Sequence, residues 1–268
     1  MTAVLSKLED SMTSKEFQAA IDEHQFRLVF QPQIDCSTRK LRGFEVLVRW
    51  DHPQAGLVMP DTFIPVAEEL GMIGAITEQI ITMALDWYKN TPKVHGTSIS
   101  VNISGKSLLD AEFSMWLLDA CQNASLPPRR VILEISEAAT AHDHVLARVS
   151  LGRLRDLGFR VSVDHFGVSQ SSLAGISDLP LWEVKVDKSI AMAGGPEAHE
   201  TIKAIVNEGK SLGLTVVTEG VEDRETLQYL RSIGCNVAQG YYIACPMGGD
   251  LVEDWMVAHD EAREQYLL

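Results

Sequence analysis

The sequence is poor in the features that would make it several common kinds of protein. Only four cysteines occur, Cys36, Cys121, Cys235 and Cys245, and none forms a C-x-x-C pair. That argues against a small disulfide-stapled scaffold and for reduced thiols in a cytoplasmic protein. No uninterrupted apolar stretch reaches about 18 residues, so no transmembrane helix is expected. The richest apolar region, 63–87, is broken by Glu68, Glu69 and Glu78. The opening MTAVLSKLEDSMTSKEF carries four charged residues before position 16 and no apolar core, so it does not read as a signal peptide. Basic residues are also scarce. The chain has 23 Lys and Arg against 37 Asp and Glu, a net charge of −14. Such a chain does not bind a nucleic acid polymer through bulk basic charge. It has no G-x-G-x-x-G, P-loop, low-complexity segment or fixed-period repeat.

What is present is an ordinary globular composition, 46 % hydrophobic with 19 Gly and 10 Pro over 268 residues. An α/β barrel of about 250 residues would use nearly all of that length as one domain. Residues 1–24 read as a helical lead-in, with Ser14 as a candidate cap, and 25–268 as the barrel domain. Eight short β-branched or apolar runs follow, at 26–34, 44–50, 98–103, 131–135, 159–164, 182–187, 214–219 and 236–242. A short polar loop joins the first two, which predicts an antiparallel start. Amphipathic stretches at 108–121, 144–157, 199–212 and 224–233 separate later runs. Three of them end at Gly158, Gly213 and Gly234, positions suited to closing a helix. Strand–helix alternation with eight strands predicts an α/β fold, a TIM-like (β/α)8 barrel with the first strand antiparallel.

Buried parallel strands should be almost continuously apolar. Here polar residues stand at or near the C-terminal ends of successive runs: Asn102, Glu134, Asp164, Lys185, Glu219 and Gln239, with Glu45 inside the second run. In an α/β barrel that end is the mouth where active sites are built. Glu45, Glu134, Asp164 and Glu219 would therefore meet, and like charges that close cannot all stay ionised without protons or cations. Carboxylates with an Asn carbonyl suit Mg²⁺ or Mn²⁺. Two such ions would clamp the oxygens of a phosphoryl displacement, with Lys185 orienting water or neutralising charge.

These residues sit in motifs that resemble the bacterial EAL-domain cyclic-di-GMP phosphodiesterases over about residues 14–258. The signature tripeptide is Glu45-Val46-Leu47, with Val where the family usually has Ala. Around it stand FQPQI, VRWDHPQAGLVMPDTFIPVAEELGMI, SVNIS, LEISE, VDHFG, WEVKVDKSI, TEGVE and AQGYY, in the family's order and spacing. The resemblance implies a modified barrel with an antiparallel first strand. It implies Glu45, Asn102, Glu134 and Asp164 on one cation, and Asp164 with Glu219 on a second. It puts Lys185 and Gln239 at the catalytic water and Gln31 and Arg49 on substrate. Leu47, Asn102 and Tyr241 join the substrate contacts; by residue type alone, Tyr241 and Tyr242 suit either stacking on a guanine or packing at the strand end. Glu137 and Glu222 match supporting glutamates, the former tied to the loop after the fifth strand of the family's barrel. The implied reaction is hydrolysis of cyclic-di-GMP to linear pGpG by a homodimer paired near that loop.

The chain departs from the family in this same loop. Family members read D-D-F-G-T-G-Y-S-S-L; here the segment runs Asp164-His165-Phe166-Gly167-Val168-Ser169-Gln170-Ser171-Ser172-Leu173. His165 replaces an acidic ligand of the second cation, and Cys245-Pro246 replaces K-P. An imidazole can still ligate, with a preference shifted from Mg²⁺ towards transition ions. Reduced or altered-metal turnover is the expectation, and a catalytically silent cyclic-di-GMP receptor is the alternative. A third reading makes Lys185 the Schiff-base lysine of an aldolase-type barrel.

Overall fold

A computed structural model of the chain describes residues 12–141, 144–168 and 173–265. Residues 1–11 of the expected lead-in, and Ser169 to Ser172 of the altered loop, lie outside the described residues. Strand β1 (Phe26–Asp35) and strand β2 (Leu41–His52) form an antiparallel hairpin in register from Phe26↔Trp50 to Ile34↔Leu41. Its turn is organised by one side chain. The Asp35 carboxylate accepts the backbone N–H groups of Ser37 at 3.0 Å and Thr38 at 2.7 Å, an Asx-type turn.

Strand β3 (Gly56–Val58) folds back on β2, and helices α2 (Pro60–Glu69) and α3 (Ile73–Asn90) follow. Then come β4 (Ser98–Asn102), α4 (Gly105–Leu109), α5 (Ala111–Asn123), β5 (Val131–Ser136), α6 (Glu137–Ala141), α7 (His144–Asp156) and β6 (Arg160–Phe166). The last part holds β7 (Glu183–Val186), α8 (Lys188–Ala193), α9 (Gly195–Ser211), β8 (Thr215–Thr218), α10 (Arg224–Ile233), β9 (Val237–Ala238), β10 (Met247–Gly248) and α11 (Val252–Gln265). Before β1 stands α1 (Ser14–Asp22), started by Thr13 and Glu16 in a reciprocal capping box.

Strands β2, β4, β5, β6, β7, β8 and β9 pair in parallel, each with the next. Strand β1 closes the ring, antiparallel to β2 on one side and to β9 on the other. The fold is thus the expected eight-stranded α/β barrel with an antiparallel first strand. Each of the eight runs read as strands overlaps one. Two further strands, β3 and β10, pair onto β2 and β1. They are three and two residues long, too short for an alternation to show. The run at 236–242 yields only Val237–Ala238, because the chain turns tightly at Gly240. A Cβ there would lie 2.2 Å from the backbone N of Val221. The stretch at 108–121 is two helices, broken at Asp110, whose carboxylate caps α5 through the Glu112 N–H at 2.8 Å.

Two kinds of interior result from strand alternation. Outward-facing Val131, Leu133 and Ile135 of β5 join a continuous apolar layer against the helices. Within it Trp50 is fully buried and packs on Phe17 of α1 at 5.1 Å and on Phe26 and Phe63 at 5.6 Å. Helix α1 is therefore held on the barrel by an aromatic cluster, each ring contributing roughly 2–3 kcal/mol of burial. The alternate residues of β5 include the buried Glu134, so polar groups are carried into the barrel. At the N-terminal end of β7 the buried Glu183 is paired with Arg42 at 2.8 Å.

The hairpin and β4 approach most closely at Gly43, where a Cβ would lie 2.3 Å from the Ser98 carbonyl oxygen. Gly43→Ala is expected to destabilise the protein by about 2–4 kcal/mol in urea denaturation. Gly74→Ala, in α3 with open space around it, is expected to be neutral or stabilising by about 0.5 kcal/mol.

Candidate functional site

Glu45, Asn102, Glu134, Asp164 and Lys185 come from five adjacent strands, β2, β4, β5, β6 and β7. Glu219 and Gln239 stand one residue beyond β8 and β9. In-register pairing places Asn102 beside Glu134, and Gln31 beside Glu45. At the centre is Lys185. Its Nζ lies 2.8 Å from Glu134 Oε2, 2.8 Å from Glu219 Oε1, 3.2 Å from Glu45 Oε2 and 3.5 Å from Asp164 Oδ1. Lys185 and Glu134 are fully buried.

Four carboxylates and one ammonium leave three negative charges uncompensated if every acid ionises. Burial alone would lower the Lys185 pKa, but the four carboxylates outweigh it and hold the ammonium well above its ordinary value. Burial pushes Glu134 well above the usual carboxylate range; Glu45 and Asp164 add to this and Lys185 opposes it. Burial pushes Glu219 up to about 7, against the pull of Lys185 and with Asp164 and Glu45 adding. Burial would raise Glu45 too, but Lys185, Gln239 and Asn102 hold it below its ordinary value. Without cations the cluster keeps protons on some of its acids. An amine ion-paired to four carboxylates is a poor carbonyl nucleophile, which argues against the Schiff-base reading of Lys185.

A chain of amides lines the other side. Asn102 Nδ2 donates to Glu45 Oε1 at 3.1 Å, and Gln239 Nε2 donates to Glu45 Oε2 and to Gln31 Oε1 at 3.0 Å. Gln33 Nε2 donates to Gln239 Oε1 at 2.9 Å, and Gln31 Nε2 to the Ala244 carbonyl at 3.2 Å. This network fixes the Glu45 carboxylate from both edges. By contrast, Glu134 Oε1 is buried with no hydrogen-bond partner. A carboxyl oxygen left without a partner in a ring of acids fits a hard cation supported by oxygen donors.

His165 follows Asp164 at the end of β6 and adopts a left-handed backbone, φ 58°. Its Nδ1 lies 2.8 Å from Asp187 Oδ2 and its Nε2 lies 3.4 Å from Asp164 Oδ2. One ligand atom each from Asp164, His165 and Glu219 can be chosen so that all lie within 4.8 Å of one another, a spacing suited to a single ion. Of the two cation sites expected, one such cluster stands out among the described residues.

Above the cluster opens a cleft of about 640 Å³. Gln31, Glu45, Leu47, Arg49, Asn102, Asp164, His165, Glu219, Glu222, Gln239 and Tyr241, all singled out in the sequence, line it. Glu134 and Lys185 lie beneath its floor. Arg49 is half-buried, with Nη1 donating to the Val48 carbonyl at 2.7 Å. Tyr241 is 64 % exposed, at the rim. Glu137 opens α6, directly after β5, and the loop it is expected to support lies outside the described residues. Two residues that matter here were passed over in the sequence. Gln33 and Asp187 stand two positions after Gln31 and Lys185, so the period-two alternation of a strand was the available signal.

The family model for the EAL domain matches residues 14–246. A cyclic di-GMP phosphodiesterase of Pseudomonas aeruginosa is 32 % identical over 246 residues, which cover 89 % of this chain and 41 % of that protein. The oxygen sensor protein DosP of Escherichia coli is 36 % identical over 245 residues, covering 88 % of this chain and 30 % of that protein. The chain thus spans less than half the length of these curated relatives. Among solved structures, the PaMucR phosphodiesterase in complex with c-di-GMP superposes with a TM-score of 0.82 at 31 % identity, over 89 % of this chain and 98 % of that one. The FimX EAL domain of Pseudomonas aeruginosa bound to c-di-GMP does so with a TM-score of 0.79 at 28 % identity, over 87 % and 95 %.

Removing the central charge should expose the repulsion it holds in check. Lys185→Met is expected to cost about 3–5 kcal/mol in cation-free buffer, read by denaturant melts, with partial recovery at lower pH. The folded pKa of Glu219, about 7, exceeds the ordinary 4.5. Its proton uptake therefore stabilises the cation-free fold fully below about pH 4.5, and that contribution is lost as pH rises through 7. Melting temperatures from pH 5 to 8 are expected to fall more steeply for the wild type than for Glu219→Gln.

Proposed function

The chain belongs to the EAL-domain family, and from that premise we propose that it hydrolyses cyclic-di-GMP to linear pGpG at the mouth of its barrel. The observation that carries this reading is the buried Lys185 ringed by Glu45, Glu134, Asp164 and Glu219 beneath a cleft that also holds Arg49. Such a ring has little purpose without cations, and a cleft of about 640 Å³ is of the size that takes small nucleotides.

Glu45, Asn102, Glu134 and Asp164 would hold one divalent ion, Mg²⁺ or Mn²⁺, and Asp164, His165 and Glu219 a second. When bound, the ions supply charge neutralisation at the phosphate and acidify the attacking water. The remaining work belongs to the chain. Lys185 keeps its proton on Nζ and donates to the water oxygen, fixing its line of attack. Gln239, tied to Gln31, Gln33 and Glu45, holds that side of the site rigid. Arg49 offers two parallel N–H donors to a non-bridging phosphate pair. Tyr241 supplies an aromatic face at the rim for a guanine, and Leu47 an apolar wall. The water oxygen joins phosphorus and gives up one proton, the bond from phosphorus to the ribose 3′ oxygen breaks, and that oxygen takes up one proton, so that one water is added across the bond. One phosphodiester becomes a terminal 5′-phosphate and a 3′-hydroxyl.

The barrel domain spans 25–268 behind a helical lead-in, 1–24, and works in the cytoplasm as a homodimer. Glu137 and Glu222 support the mouth loops. Val145 and Val149 stand exposed on α7, 76 % and 56 % accessible, and offer an apolar face to a second copy. No helix among the described residues is long and apolar enough to cross a membrane. The net charge of −14 argues against nucleic acid polymers as partners. One observation favours a second reading. His165 stands where the family pattern has an acidic ligand, and a site that binds without turning over would be a cyclic-di-GMP receptor.

The deciding experiment is incubation of the purified chain with cyclic-di-GMP and Mg²⁺ or Mn²⁺ separately, with chromatographic detection of product. Linear pGpG is expected, faster with Mn²⁺; tight binding without product would establish the receptor reading. Lys185→Ala is expected to lower kcat at least about 100-fold. Arg49→Ala is expected to raise KM by about 10–100-fold, from the loss of a charge-assisted phosphate contact.

A further inference from the structure

Resting on that reading of the mouth, we infer that Asp187 and His165 form a carboxylate–histidine pair. This pair presents a nitrogen ligand to the ion held by Asp164 and Glu219, and it makes that site selective for a transition ion such as Zn²⁺ or Mn²⁺ over Mg²⁺.

The geometry is particular to the residues of this chain. Asp187 is the N-cap of α8, and its Oδ1 accepts the Ser189 N–H at 2.8 Å. Its other oxygen, Oδ2, faces His165 Nδ1 at 2.8 Å. An ionised carboxylate only accepts, so Nδ1 carries a proton toward Asp187, and Nε2 is the nitrogen left to offer a lone pair to an ion that displaces its proton. That nitrogen points at the Asp164 carboxylate, 3.4 Å from Oδ2. The backbone of His165 is turned into the same arrangement. Its left-handed φ of 58° is uncommon for a residue with a side chain, and its N–H donates to Asp164 Oδ1 at 2.8 Å. Asp164 Oδ1 is thereby held in place and Oδ2 turned to the imidazole.

A histidine whose far nitrogen is fixed by a carboxylate is the usual supporting arrangement of a ligating imidazole, and loss of the support costs about 10–100-fold in affinity. An imidazole beside two carboxylates is a mixed nitrogen–oxygen set, which suits Zn²⁺ and its neighbours; Mg²⁺ prefers oxygen throughout. The side chain of His165 is 58 % exposed, which leaves room for water on the ion. Asp187 touches neither the ion nor substrate in this account and is a positioning residue.

The test uses the full chain labelled with nitrogen-15 histidine, titrated with Zn²⁺ and observed by NMR, with calorimetry for Zn²⁺, Mn²⁺ and Mg²⁺. One imidazole Nε2 resonance should move to a metal-bound position and be absent in His165→Ala. Asp187→Asn, which keeps the helix cap, should weaken Zn²⁺ about 10–100-fold with little effect on Mg²⁺. His165→Asp should reverse the preference towards Mg²⁺. Unmoved imidazole resonances, or equal Zn²⁺ affinity in wild type and His165→Ala, would overturn the inference. Its fate is separable from that of the hydrolase reading: a shifted resonance without pGpG leaves the pair standing in a receptor, and pGpG without the shift leaves an enzyme lacking it.

Discussion

The architecture depends on one buried ammonium. Lys185 lies within 3.5 Å of carboxylates from Glu45, Glu134, Asp164 and Glu219, delivered by four different stretches of chain. Attraction to one point lets strands that would otherwise repel each other close a ring at their C-terminal ends. It does not balance the charge. The residual excess keeps a proton on the most buried acids or admits cations, and this imbalance turns a structural centre into a chemical one. Stability and function therefore draw on the same residues, with the acids too crowded to be ideal for the fold alone.

A polar centre of this kind survives because the barrel separates it from the apolar packing. Alternate residues of each strand face out to a layer that includes Phe44, Trp50, Phe63, Leu133 and Val163, and that layer supplies most of the burial. The antiparallel β1 adds something a parallel strand would not. Gln31 and Gln33 reach Gln239 from within the strand, and Gln239 in turn donates to Glu45. These amides brace the Glu45 carboxylate without adding charge.

Much of this was legible in the residues. Alternation and β-branched runs located the ring strands of four or more residues, which leave a pattern when buried, and the two-residue β9 lay inside a longer apolar run. The glycines after α7, α9 and α10 marked their ends, with φ of 91°, 71° and 71° at Gly158, Gly213 and Gly234. The carboxylates announced themselves by standing where an apolar residue belonged. The short β3 and β10 left no pattern, and Gln33 and Asp187 looked like ordinary strand-end polar residues. Nothing local distinguishes an amide that braces a carboxylate from one that meets water. The standing of Lys185 also depended on its neighbours: as a lone strand lysine it was compatible with amine chemistry, and four nearby acids argue against that.

The sequence by itself determined the barrel, its antiparallel opening strand and the identity of the charged groups at its mouth, because periodicity and residue type are local quantities. Tertiary structure alone decided what those groups do to one another. Distances between strands set which acid keeps its proton, which oxygen of Glu134 is left without a partner, and which nitrogen of His165 is tied to Asp187. Electrostatic coupling falls with separation in space, and separation along the chain carries no record of it.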